Sequence, residues 1–480
     1  MSPRRPSLSP TRTRSSSPAP RGARTPRAGL RPRTVAHQRG PVDAGRVGPT
    51  APVVPRSTAR DALGVRNFRL YVTSQVLTNT FGWAARVSQD WLVLTLTGSA
   101  AWVGLTVTLQ LLPVLLLGLV GGMIADRVDR RRLLMVTQSV FGLSALVIGL
   151  LALTGHVQAW HVLAGAFVGG VATAFDNPAR QAFVHEVAGP AHLRQAISIN
   201  SAVFQVGALV GPGVAGVLIN LVGQGWTFEL NAAACLVAVG LLVTMRPSEL
   251  TAPPVVERAR GQLREGLAHA RRNPRILWAT VLLGFVSVTG VNMATVLAAW
   301  ADGVFDSDAG GYALLNSMLA VGALTGAVLA GRRTGGRLLN LVVLAAAIGT
   351  VQLLAATAPS RPVFVVALVG MGLCTILYLT SSNTLVQLTV APHLRGRVMS
   401  LYILTGLGAQ GISGTLIGWV CEHLGPRAGM VAAGTGPLLG ALVVGLVLAR
   451  RSDWDVRTAL RTRAVAPTPV PVPTPIDAVA

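Results

Sequence analysis

The chain has 480 residues, of which 51% are hydrophobic, 12% charged and 5% aromatic. Soluble domains carry about 25% charged residues, so this deficit, joined to a mean hydropathy of +0.55, argues against a water-soluble enzyme and favours the bilayer as solvent. All 41 basic residues are arginine and the net charge is +23, divided as +12 over residues 1–66, +10 over 67–450 and +1 over 451–480. In a soluble protein such an excess would suggest nucleic acid. Here it sits in a tail and in short connections beside apolar segments, so anionic lipid of the inner leaflet is the expected partner and nucleic acid is not.

Residues 1–66 are rich in Pro, Ser and Arg and lack an apolar stretch able to pack or to form a signal-peptide core. A disordered cytoplasmic tail is expected, either simply solvated or held to the inner leaflet. Twelve apolar spans follow, at 68–96, 102–125, 133–154, 159–183, 196–221, 226–245, 276–300, 311–331, 338–357, 363–388, 398–421 and 428–450. Each is near the ~20 residues a helix needs to cross ~30 Å of hydrocarbon. Their unbroken apolar character excludes the alternation of a barrel strand, so helices are expected. Residues 246–274 form the longest internal connection. Leu263, Leu267 and Ala270 give it an apolar stripe among Arg and Glu, as in an amphipathic helix lying on a membrane surface. Residues 451–480 read as a second loose cytoplasmic tail.

Alternate connections differ sharply in charge. The connections after the second, fourth, sixth, eighth and tenth spans hold seventeen Arg, whereas the others hold only Arg361 and Arg427. The excess of arginine on one side places both termini in the cytoplasm and the protein in the cell's inner, plasma membrane. The long connection divides the spans six and six, into bundles over 67–245 and 275–450. Ala125 to Leu134 (ADRVDRRRLL) aligns with Ala330 to Leu339 (AGRRTGGRLL), and His192-Leu193-Arg194 with His393-Leu394-Arg395. The expected fold is an all-α membrane protein of twelve transmembrane helices in two parallel six-helix pseudo-repeats.

The connection after the second span reads Gly122-Met123-Ile124-Ala125-Asp126-Arg127-Val128-Asp129-Arg130-Arg131-Arg132. It resembles the signature loop G-x-x-x-D-R-x-G-R-R/K of the major facilitator superfamily, with Asp129 standing where the pattern has glycine; a positive φ would be costlier at that position. Arg86 to Trp91, Phe175 to Gln181, Leu193 to Ser201 and Leu394 to Tyr402 resemble the branch that includes the enterobactin exporter and macrolide efflux proteins. The resemblance covers residues 62 to 450. It implies a cytoplasmic gate in which Asp126 meets the helix start near Gly396 to Val398 and Arg130 pairs with Asp176, with Gly122, Arg127, Arg131 and Arg180 as neighbouring members. It also likens Gly207, Gly211, Pro212, Gly213 and Gly216 to the glycine-rich stretch of antiporters, which packing explains equally well.

Other residues stand out for their own chemistry. Arg86 and Asp90 are four apart on the first span and share a face. Charges at membrane depth point into the bundle and mark a pathway or proton site, although a mutual salt bridge near the outer boundary explains the pair as well. Asp90 is the leading candidate for a proton carrier. Glu229, a further coupling candidate, also fits an interfacial position beside Trp226. Asn79, Gln110, Asn200, Gln205 and Asn292 are candidates to line a cavity, with helix-bridging hydrogen bonds as their alternative role. Cys235, Cys374 and Cys421 lie singly in apolar runs and are expected to be small fillers, with neither disulfide nor metal.

No Walker A loop, HExxH or GxSxG appears, so ATP hydrolysis, a cofactor and enzymatic activity are not expected. The resemblance implies a monomeric secondary transporter that exports a small amphipathic organic molecule, drug, macrolide or siderophore-like, in exchange for protons. Proton-driven uptake by the same fold and a non-transporting membrane receptor or scaffold are the alternatives.

Overall fold

A computed structural model describes residues 59–251, 262–291, 293–331, 337–390 and 394–450. Residues 1–58 and 451–480, Asn292 and the middle of the long connection therefore lie outside the described residues, whereas 59–66, counted above with the disordered tail, form α1 and the start of α2, with Ala62 buried. In chain order the helices are α1 Ala59–Gly64, α2 Arg66–Thr97, α3 Ala100–Ala125, α4 Arg130–Leu153, α5 Ala159–Val222, α6 Gln224–Val243, α7 Gln262–Arg272, α8 Pro274–Phe285, α9 Ala294–Gly303, α10 Ala309–Gly331, α11 Leu338–Ala356, α12 Arg361–Thr389, α13 Arg395–Leu424 and α14 Pro426–Arg450. No strand occurs among the described residues. Among the described residues ten helical segments are long and apolar enough to cross a membrane. With every backbone group bonded within its own segment, helices of this length suit a solvent that offers no hydrogen bonds.

Two departures from the sequence expectation have local causes. The fourth and fifth predicted spans were separated by a connection over 184–195, but α5 is helical on both sides of one residue, Gly189, at φ 64 and ψ 170. Glycine reaches that conformation without a Cβ clash, and Pro190 then takes the first turn of the second helix, where its missing N–H goes unused. The seventh span, expected to be continuous over 276–300, is broken instead. A π turn at Val286–Gly290 follows α8 and leads to α9, and β-branched Val286, Val288, Thr289 and Val291 crowd that stretch. Gln352 of α11 donates to the carbonyl of Gly290 at 2.8 Å, satisfying part of the opened backbone.

The packing differs between the two ends of the molecule. At one end a single apolar core joins both halves of the chain, with Trp91 of α2, Val103 of α3, Ala215 of α5, Trp300 of α9, Tyr312 of α10, Phe364 of α12 and Ile417 of α13 as members. At the other end there are two separate cores. One is built on Phe68, Tyr71, Leu134, Phe183 and Leu242, and the other on Ile276, Leu341, Tyr378, Val386 and Val398. The second core includes Ala270 of α7, whereas Leu267 of that helix is exposed. A shared core at one end and two cores at the other leave a cleft between the halves. The cleft opens at the end that carries the α3–α4 connection.

At the shared end α3 and α13 approach backbone to backbone. A Cβ at Gly418 would lie 2.8 Å from the Ala100 carbonyl oxygen, and Thr108 donates to the Gly411 carbonyl at 2.7 Å. Small residues here permit the approach.

Candidate functional site: a cleft between the two halves

The cleft can be traced along two helix faces. On α5 the positions 197, 201, 204, 208, 212 and 215 form one stripe at helical spacing. Ile197, Ser201 and Phe204 are exposed, Ala208 is half-buried, and Pro212 and Ala215 are buried. On α2 the matching stripe runs Val76, Asn79, Trp83, Arg86, Asp90 and Leu94. It is open as far as Arg86 and closed from Asp90, which is 2% exposed. Arg86 is therefore the last open position before the seal.

Contacts between the halves make that seal. The Tyr312 hydroxyl of α10 donates to Asp90 Oδ2 at 3.2 Å, and the Tyr312 ring stacks on Trp91 with centroids 5.8 Å apart. Further out, Asn220 donates to Asp308 Oδ2 at 3.1 Å, and the Ala100 amide donates to Glu422 Oε2 at 2.9 Å. Arg86 does not bridge to Asp90. Its guanidinium lies over the Trp83 ring, 5.4 Å from the centroid, and Trp83 meets Phe204 edge to face at 5.8 Å. The salt bridge weighed for Arg86 and Asp90 is thus replaced by a cation–π contact.

Closer to the open end, Asp176 is buried in a network. Thr137 donates to its Oδ1 at 2.7 Å and Gln138 at 3.2 Å, while Arg180 pairs with Oδ2 at 2.7 Å. Arg180 also donates to Gln75, whose side-chain oxygen accepts from Asn79 at 3.2 Å. The network joins α2, α4 and α5.

The expected Arg130–Asp176 pair does not form. Arg130 opens α4 and binds Glu186, with Asp126 at 3.5 Å and the Ala125 carbonyl at 3.0 Å. Asp176 instead meets Thr137 and Gln138, seven and eight residues along α4, or about 10–12 Å from Arg130. Glu186, ten residues beyond Asp176 on α5, lies at the depth Arg130 can reach.

Around this loop Arg131 donates to the carbonyls of Leu242 and Val243 at 2.6 and 2.7 Å, placing a cation on the C-terminal end of α6, where carbonyls lack helical partners. Asp129 needs no positive φ. At φ −58 it caps α4, accepting from the Arg132 amide at 3.2 Å. Arg127 is exposed and Gly122 half-buried; of the helix start near Gly396 to Val398 that Asp126 was expected to meet, the side chains of 396 and 397 lie outside the described residues and Val398 is buried in its own core.

The remaining candidates scatter. Gln110 donates to Gln89 at 3.3 Å, and Asn200 accepts from Tyr71 at 3.4 Å. Gln205 is half-buried. Glu229 packs on Gly149 of α4, away from Asp90. Two further polar residues within the spans pack locally: Asn231 approaches Gly82, and Asn316 donates to the Tyr312 carbonyl at 3.0 Å. The three cysteines are free thiols, and among the described residues no cluster of His, Cys, Asp or Glu is placed to hold a metal. Tyr312, Glu186 and Gln75 were not singled out from the sequence. Tyr312 is one of four tyrosines, and a phenol in an apolar span signals a buried hydroxyl that needs a partner.

Comparison with known proteins agrees with this architecture. A family model described as transmembrane secretion effector matches residues 58–469. The multidrug efflux pump Tap of Mycolicibacterium fortuitum is 28% identical over 392 residues, covering 77% of this chain and 92% of that protein. The staphyloferrin A transporter of Staphylococcus aureus is 23% identical over 341 residues, with 70% and 85% covered. The enterobactin exporter EntS of Shigella flexneri is 24% identical over 390 residues, with 81% and 88% covered. Among solved structures, a bacterial homologue of the human lysosomal transporter Spinster, in an inward-facing and unoccupied conformation, has a TM-score of 0.64 at 17% identity, covering 79% of this chain and 96% of that one. The D-xylose-proton symporter has a TM-score of 0.62 at 16% identity, with the same coverage. Such distant structures speak to the fold alone. This chain is a multi-pass membrane protein and a transporter rather than an enzyme, and it belongs to the transmembrane secretion effector family of the major facilitator superfamily.

Proposed function

We propose that the chain is a proton-coupled exporter of a small amphipathic organic molecule, working by alternating access between two six-helix halves. The observation that carries this reading is the Tyr312–Asp90 hydrogen bond, which joins the halves at the sealed end of a cleft that is open at the other. A carboxyl group there can be exposed to either side as the halves rock, and its protonation changes the acceptor that Tyr312 finds. Asp90 is accordingly assigned as the proton carrier. The printed activities of the relatives, multidrug efflux, staphyloferrin A transport and enterobactin export, support export of an amphipathic substrate.

The same reading counts twelve crossings. The turn at Gly189 divides α5 into two, and α2, 32 residues or about 48 Å long, adds another to the ten apolar segments. The halves are related by a repeat. Gly223 joins α5 to α6 at φ 94 and ψ 164, and Gly425 joins α13 to α14 at φ 89 and ψ 164, so the same left-handed turn recurs 202 residues on. The open end carries the arginine-rich connections, which supports a cytoplasmic opening with both termini on that side and anionic lipid around them. Asp126 and Arg130 are assigned to the cytoplasmic gate, with Glu186 as the partner of Arg130, and the protein is taken to act as a monomer.

Everted vesicles test the function. Accumulation of an amphipathic fluorescent substrate that an uncoupler collapses is expected, and Asp90→Asn should abolish the dependence on the proton gradient. Transport indifferent to the gradient in the wild type would remove the coupling, and an unchanged Asp90→Asn profile would remove Asp90 as carrier.

A further inference from the structure

We infer that Arg86, Trp83 and Phe204 form a binding subsite for an organic anion carrying a flat conjugated ring, at the blind end of the cleft. The inference rests on the transport reading above and names the substrate class of that same cleft.

Position comes first. Arg86 is exposed, whereas Ala84, Ala85, Val87, Ser88 and Asp90 around it on α2 are buried. Three residues before it Trp83 packs on Gly211 of α5, and four residues after it Asp90 meets Tyr312 of α10. Residues three and four apart share a helix face, so the space Arg86 reaches lies between α5 and α10. That is the interior of the cleft and not the lipid side.

Charge is the second observation. A cation at this depth is costly and persists where something answers it. Among the described residues no carboxylate forms an ion pair with Arg86. Asp90 is buried and engaged by Tyr312, and Asp176 is buried and paired with Arg180. The exposed charge that this depth of the cleft offers a ligand is therefore positive. A cationic substrate would find no exposed acid there, while an anion would find an arginine.

Shape is the third. The guanidinium lies over the Trp83 ring, 5.4 Å from its centroid, and its N–H groups make no hydrogen bond to another described residue, which leaves the fork that pairs with a carboxylate available to a ligand. Phe204, 49% exposed and edge-on to Trp83, extends an aromatic wall beside that edge. A planar ring can lie on the wall while its acid group meets Arg86, a combination that selects conjugated carboxylates over aliphatic ones.

The test uses the purified full-length chain in lipid nanodiscs, with equilibrium binding of 2-naphthoate and of its size-matched cation 2-naphthylmethylammonium. The wild type is expected to bind the anion and not the cation. Arg86→Gln should weaken naphthoate about tenfold, the scale of a lost charge-assisted pair. Arg86→Lys keeps the charge without the fork and should lose about threefold, and Trp83→Leu should also weaken binding. Asp90→Asn should bind at least as tightly as the wild type, since a neighbouring negative charge is removed. Tighter binding of the cation, absence of naphthoate binding by the wild type, or unchanged affinity in Arg86→Gln would each overturn the assignment. If Arg86→Gln does not fold, unchanged affinity in both Arg86→Lys and Trp83→Leu overturns it. Naphthoate binding that survives while no substrate moves with the proton gradient would instead count against the transport reading and leave this subsite standing.

Discussion

Replacing Tyr312 by Phe should open the sealed end of the cleft. The ring is 0% exposed and stacked on Trp91, and Phe preserves that packing, so the hydroxyl alone is removed. Asp90 Oδ2 then loses its donor, and Oδ1 has no hydrogen-bond partner among the described residues. A hydrogen bond to a charged group contributes about 1.5–3 kcal/mol. In a form with the halves parted at this end the bond is already broken, so the loss falls on the sealed form and shifts the equilibrium by its full value. At 1.4 kcal/mol per factor of ten, the ratio of open to sealed molecules should rise about tenfold to about a hundredfold. Spin labels at Leu221 of α5 and Leu424 of α13, 76% and 66% exposed on opposite halves at this end, would read the separation in a cysteine-free background. A longer-distance population is expected in Tyr312→Phe. A distance distribution identical to that of the parent would refute the view that this bond holds the seal.

The remaining predictions concern the scaffold. Gly418→Ala places a methyl 2.8 Å from the Ala100 carbonyl oxygen and should destabilise by about 1–3 kcal/mol through overpacking, seen as a lower melting temperature of the detergent-solubilised protein. Arg180→Ala leaves Asp176 charged and unpaired in its network and should cost about 3–5 kcal/mol; the double change Asp176→Asn with Arg180→Gln should recover folded yield on size-exclusion chromatography. Arg130→Ala should lower thermal stability far more than Arg132→Ala. Arg130 is buried against Glu186, whereas the Arg132 side chain is 82% exposed beside Asp129, where an ion pair contributes about 0–1 kcal/mol. Equal melting temperatures for those two variants would show that burial is not what makes the Arg130 pair matter.

Helical spans were readable because hydropathy is additive along the chain. The limits of α3, α4, α11 and α12 fall within a few residues of those expected. Signals for termination were weaker. At 189–190 the pair Gly-Pro ends one helix and starts the next within a single residue, and the sequence suggested a longer loop because His192 and Arg194 are polar. Polar side chains prove compatible with helix where the segment leaves the apolar core. The break at 286–291 was marked only by β-branching, Ser287 and Gly290, residues that within an apolar span also serve close helix packing. Pairing between elements was the least legible. Asp126, Arg130 and Asp176 were recognised as one region, yet the partner of Arg130 is set by depth along α5, a coordinate the motif does not encode. Asp90 was found from its charge alone. Its partner Tyr312 stands 222 residues away, and only the fold brings the two together.

A linkage of one residue transmits rotation. The segment before Gly189 packs inside its own bundle against α2 and α3, while the segment after it touches α10 in the opposite half through Gly216 and Ala313. The second arm also packs on α2 through Gly207 and Gly211, so both arms belong to one half, and with no slack at the elbow that half meets α10 with a stiff corner rather than with a free rod.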